Sequence, residues 1–203
     1  MAATYFAILA LLTTSVLSSL LVRDQTPVSI SRPNVVNVKY DGVCFYPAPA
    51  EDFNIDEYLG TWYQVAGYQQ DFLQGCSCIT ATYTANPNGT VNVLNNCVRG
   101  GRPAPVRGLA SPVDERYTRG SSGAFMVTFP GFPPDEKCPG PNYVVQKQCD
   151  DWAMVQSSNF SGLFLLSRQR EPNEKNVKRW IDEAVKRGSD PKRIRRFDTT
   201  GCT

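Results

Sequence analysis

Seven cysteines and no histidine are the first chemical facts of this 203-residue chain. Without an imidazole it lacks the commonest general base, and both Ser-His-Asp and Cys-His nucleophile systems are excluded. The cysteines are Cys44, Cys76, Cys78, Cys97, Cys138, Cys149 and Cys202. None belongs to a CxxC pair, Cys76-Ser77-Cys78 is a CxC, and no histidine can complete a mixed site, so neither a metal nor another cofactor is expected. In an exported chain such cysteines make structural disulfides, at most three here, with one thiol left over. Two sequons, Asn88-Gly89-Thr90 and Asn159-Phe160-Ser161, mark Asn88 and Asn159 as candidate glycosylation sites and agree with export.

The N-terminal end points the same way. Residues 1–22 carry no charged side chain, and Tyr5 to Leu12 has the length of a signal-peptide apolar core, followed by Ser15, Ser18 and Ser19. A cut after Ser18 makes residues 1–18 a signal peptide and the product a secreted protein with no transmembrane segment. The competing reading is a retained anchor, since Tyr5 to Val22 is just long enough for a marginal span, although five Thr and Ser residues dilute it. The remainder is ordinary for a globular protein, at 41% apolar and 20% charged. A net charge of +2 with no long basic run gives no case for a nucleic-acid partner.

The elements that position these residues are short. Residues 19–50 are proline-rich and aperiodic and read as an extended leader; residues 51–203 read as the folded domain. Alternating runs occur at Trp62 to Tyr68, Ile79 to Thr84, Val91 to Leu94, Val106 to Ala110, Ala124 to Phe129, Tyr143 to Lys147, Ala153 to Gln156 and Gly162 to Ser167. Asn88-Gly89, between the second and third runs, signals a hairpin with a type I′ turn. One helix is expected at Glu174 to Arg187, where Val177, Trp180, Ile181, Ala184 and Val185 make one apolar face. Asn173 caps its start, and Gly188 and Pro191 stop it. A last strand is expected at Ile194 to Phe197. Eight short strands and then a helix predict an all-β fold: an up-and-down antiparallel β-barrel with a C-terminal α-helix packed on the outside.

With these elements in place the chain resembles the lipocalins, in particular the apolipoprotein D and bacterial lipocalin branch, from about Cys44 to Cys202. Asn54-Ile-Asp-Glu-Tyr-Leu-Gly-Thr-Trp-Tyr-Gln-Val-Ala66 looks like the family's short turn and Gly-x-Trp strand start. Leu165-Leu166-Ser167-Arg168 looks like its third motif, ending the eighth strand with arginine. The second motif is poorly kept, reading Lys147-Gln-Cys-Asp-Asp-Trp152. The resemblance implies that Gly60, Trp62 and Arg168 close the narrow end, with the Arg168 guanidinium over the indole.

If Trp62 points inward, Gln64, Ala66 and Tyr68 share its face, and strand alternation adds Ile79, Tyr83, Val93, Asn95, Phe125, Phe129 and Phe164 as candidate ligand-lining residues. Tyr83, Asn95 and Phe164 also stand where the resemblance places cavity residues. It further implies a disulfide between Cys78 and Cys202. The family's usual partner for Cys44 is absent, so Cys44 must pair elsewhere, with Cys149 one candidate. Cys97 and Cys138 are candidates for the third bridge, which would leave Cys76 as the odd thiol, able to join two chains into a dimer or to react with a ligand. Seven cysteines permit many other pairings.

The function this implies is non-enzymatic: a secreted carrier of a small hydrophobic partner, whether lipid, steroid, retinoid, carotenoid or bilin. The alternatives are a Cys-dependent isomerase of lipids on the same scaffold, using Cys76, and a secreted interaction module or inhibitor that uses the open-end loops.

Overall fold

Runs that alternate apolar and polar residues become strands because each has one face to bury and one to leave in water. The computed structural model describes residues 38–118, 122–132, 137–200 and residue 202. The expected signal peptide at 1–18 and the leader as far as residue 37 lie outside the described residues. The end of that leader is ordered: β1 (Val38–Tyr40) and β2 (Phe45–Pro47) pair antiparallel. A one-turn helix, α1 (Ile55–Tyr58), follows, capped by the Asn54 side chain, which accepts from the Asp56 amide.

The wall comprises β3 (Gly60–Tyr68), β4 (Cys76–Ala85) and β5 (Val91–Arg99), then β7 (Val106–Pro112) after the two-residue β6 (Arg102–Pro103). Beyond the short helix α2 (Glu115–Thr118) it continues with β8 (Ala124–Thr128), β9 (Tyr143–Gln148), β10 (Trp152–Gln156) and β11 (Leu163–Ser167). Each wall strand pairs antiparallel with the next, and β11 pairs back onto β3, so the eight strands form a closed barrel. Closure removes the open sheet edges that would otherwise invite aggregation. The β4–β5 hairpin forms where Asn88-Gly89 predicts it, but not through a type I′ turn. Gly89 alone is left-handed, at φ +79°, and its amide donates to the Asn86 carbonyl over 3.1 Å. Pro87, with φ locked near −65°, favours the second position of a type I turn and forces this outcome.

Helix α3 (Glu174–Lys186) lies outside the barrel, its Asn173 cap accepting from the Lys175 amide. Val177, Trp180 and Ala184 are buried against Val65, Met154, Leu163 and Leu165 of the wall. The Trp152 and Trp180 rings stack at 5.2 Å, nearly parallel. The chain then returns as β12 (Ile194–Arg196), which pairs with the second half of β3, whereas β4 pairs only with the first half. A bulge bends β4 away at that point: Cys78 and Ile79 together oppose Cys97, with Cys78 at φ +50°. The tail fills the gap, and the Cys78 amide donates to the Asp198 carbonyl over 2.8 Å. Among the described residues no helix is long and apolar enough to cross a membrane.

Candidate functional site

The barrel floor is built around Trp62, which has no exposed surface. Its indole N–H donates to the Tyr58 carbonyl over 2.8 Å. The Arg168 guanidinium sits 3.6 Å from the ring centroid and donates to the carbonyls of Thr61, Glu57 and Leu59 at 2.9, 2.6 and 2.8 Å. Two of those carbonyls belong to the end of α1 and have no helical partner, so Arg168 acts as the missing cap. Gly60 holds φ +91°, and a Cβ there would stand 3.4 Å from the guanidinium. The poorly kept second motif still docks on this end. The Gln148 side chain exchanges two 3.0 Å hydrogen bonds with the Asn54 backbone, and the Arg168 amide donates to the Asp151 carbonyl.

Above the floor stands a trio of tyrosines. The Tyr143 hydroxyl lies 2.7 Å from those of both Tyr58 and Tyr83, and the Tyr58 ring packs 5.3 Å from Trp62 and 5.2 Å from Tyr83. Burial pushes the Tyr83 phenol up to about 12 and drives Tyr58 and Tyr143 well above the ordinary value, so all three stay protonated near neutrality. A cavity of about 10 Å³ adjoins them, lined also by Ile55, Val91, Ala110, Phe125 and Val127. That is space for about one water molecule. Sequence reading missed Tyr58 and Tyr143. Tyr58 lies in a one-turn helix rather than a strand, and Tyr143 opens a strand whose apolar run gives no clear phase.

Of the ten proposed lining residues, the register places Gln64, Tyr83, Val93, Asn95, Phe125, Phe129 and Phe164 on the inner face. Ile79 packs with Leu73 and Cys97 in a separate cluster, at the end of β4 away from Trp62. Ala66 and Tyr68 are corrections: both are buried on the outer side, in the cluster that receives α3. The cause is a bulge at Val65. Leu166 opposes Gln64 while Leu165 opposes Ala66, so one extra residue reverses the phase of β3. Tyr68 instead carries the Arg193 guanidinium 4.0 Å from its ring centroid, and its hydroxyl accepts from the Asp190 amide.

The structure contains the Cys78–Cys202 disulfide and two others, Cys44–Cys138 and Cys76–Cys97. The expected pairs Cys44–Cys149 and Cys97–Cys138 are therefore corrected, and so is Cys76 as the odd thiol. The β1–β2 turn carries Cys44 against residues 137–140, where Tyr46 donates to Asp41 and accepts from the Gly140 amide. Pairing of β4 with β5 brings Cys76 and Cys97 to a Cα separation of 5.6 Å. Cys149 is the free cysteine, half-buried near Trp152 and α3, and a dimer through Cys76 has no thiol to form it.

The two sequons differ. Both asparagines are exposed, and what separates them is their partners: Asn88 Oδ1 accepts from the amide and the hydroxyl of its own sequon's Thr90. The Asn159 amide is engaged: Oδ1 accepts from the Phe45 amide at 2.8 Å, and Nδ2 lies 3.4 and 3.3 Å from the sulfurs of Cys44 and Cys138. Among the described residues no His, Cys, Asp or Glu cluster could hold a metal ion. The arrangement offers apolar contact and neutral hydrogen-bonding groups inside a closed wall.

Residues 53–199 match the family model described as a lipocalin-like domain. The chain is 30% identical over 141 residues to temperature-induced lipocalin-1 of Arabidopsis thaliana, an alignment covering 68% of this chain and 74% of that protein. It is 33% identical over 117 residues to apolipoprotein D of Bos taurus, covering 57% of each. Among solved structures, insecticyanin from the tobacco hornworm Manduca sexta matches with a TM-score of 0.57 at 20% identity, over 78% of this chain and 87% of that one.

Proposed function

Because the chain belongs to the lipocalin-like domain family, on the apolipoprotein D and bacterial lipocalin branch, we propose that it carries a small hydrophobic ligand inside the barrel. The observation that carries this reading is the inner face itself. It is built from aromatic and aliphatic side chains with neutral polar tips at Gln64, Tyr83 and Asn95, over a floor sealed by Trp62 and Arg168. Such a surface receives an apolar molecule bearing a few polar atoms. Lipid, steroid, retinoid, carotenoid and bilin ligands all answer to that description.

A secreted location is part of the proposal. Three disulfides favour an oxidising compartment, and the uncharged N-terminal segment and exposed Asn88 agree with it. The enzymatic alternative needed a thiolate at Cys76, and that sulfur is tied up with Cys97. Native mass spectrometry of protein purified from its source tests the carrier reading, with a copurifying small molecule as the expected result. Protein that arrives empty and takes up no member of a lipophile panel would sink it.

A further inference from the structure

We propose that the lumen selects neutral apolar molecules bearing a carbonyl oxygen, and that the side-chain amide of Gln64 is the donor that receives it. This inference rests on the carrier reading.

Gln64 is 4% exposed, and its Nε2 has no hydrogen-bond partner. It faces inward, because the register sets it opposite Leu166, which belongs to the interior cluster with Trp62 and Tyr83. A buried amide N–H without an acceptor is costly, and native proteins seldom keep one without a use for it. The nearby phenols are different. The Tyr143 hydroxyl bridges those of Tyr58 and Tyr83, and the two contacts use two of the three O–H protons. Gln64 Nε2 is thus a buried inner-face donor with no hydrogen-bond partner at all.

The chemistry of the incoming group follows. A carbonyl brings only lone pairs, whereas a hydroxyl adds a proton that needs its own buried acceptor. A carboxylate brings a charge. Among the described residues, the inward register positions of the wall strands around Gln64 hold no lysine or arginine to pair with it. Arg168 stacks on the Trp62 ring with its N–H groups held by three backbone carbonyls. An ionised head group at Gln64 would be buried unpaired.

Three probes of equal length test this: 2-undecanone, undecane and undecanoate, titrated against the full mature chain by tryptophan fluorescence. The wild type should bind the ketone more tightly than the carboxylate. Gln64→Leu should weaken 2-undecanone about tenfold, as expected for loss of one buried hydrogen bond, and bind undecane as well or better. Retained undecane binding also reports a folded barrel, and Gln64→Met gives the same reading where leucine disturbs the strand. Equal weakening of ketone and alkane, or no weakening of either, overturns the inference but leaves the carrier reading standing. Tighter binding of undecanoate than of 2-undecanone does the same. Wild type that binds none of the three overturns both.

Discussion

Arg168 joins a stacked ring and three backbone carbonyls, and losing it removes several interactions at once. Charge-assisted hydrogen bonds contribute about 1.5–3 kcal/mol, and a cation–π contact about 0.5–2 kcal/mol. Arg168→Leu should therefore lower unfolding free energy by about 2–4 kcal/mol in urea titrations. Arg168→Lys should recover only part of this, since an ammonium cannot fork across the carbonyls of Glu57, Leu59 and Thr61. An undiminished midpoint in Arg168→Leu would contradict that role. At the sequons, glycopeptide mapping of the folded protein should find sugar on Asn88 and none on Asn159, whose Nδ2 faces the Cys44–Cys138 sulfurs. Gly60, Trp62 and Arg168 were legible in the sequence because a local motif carries them. The partners of Cys44 and Cys76 were not, because they depend on where a hairpin and a strand register bring distant sulfurs.

The alternation of apolar and polar residues located all eight wall strands, and the 3.6-residue period located α3. What alternation cannot show is a bulge. Val65 leaves no mark in composition, yet it moves Ala66 and Tyr68 from the lumen to the layer beneath α3. The pair Cys78-Ile79 acts similarly on β4 and opens the edge that β12 occupies. Strands as short as β1 and β2 were also hidden, since three residues carry no usable period. The outer layer that the bulge helps build is a large share of the core. Trp180, 1% exposed and stacked on Trp152, is its centre. Trp180→Ala should cost about 3–5 kcal/mol, the usual range for truncating a buried aromatic, and should abolish the near-ultraviolet dichroism of the stacked pair. A loss below 1 kcal/mol would mean that α3 is a loosely attached flap.

The whole molecule should be unusually sensitive to alkali, because its interior is stabilised by phenols that must stay neutral. Burial raises Tyr83 to about 12 and lifts Tyr58 and Tyr143 well above their ordinary value. Folded values above the unfolded ones, near 10, mean that the folded chain holds these protons more tightly. The contribution is complete below pH 10 and is lost progressively as pH rises from about 10 towards 12 and beyond. Each phenol that stays neutral in the fold while its unfolded counterpart ionises costs about 1.4 kcal/mol per pH unit, so stability should fall steeply above pH 10. Absorbance at 295 nm should show Tyr58, Tyr83 and Tyr143 ionising only in step with loss of tertiary structure. Tyr143→Phe separates this cause from general repulsion at high pH. It should be less stable at pH 7, because Tyr58 and Tyr83 lose the hydroxyl that links them, yet its stability should fall less steeply above pH 10. A variant with the wild-type slope would show that alkaline unfolding starts elsewhere. The trio would then be only a neutral part of the packing around the lumen.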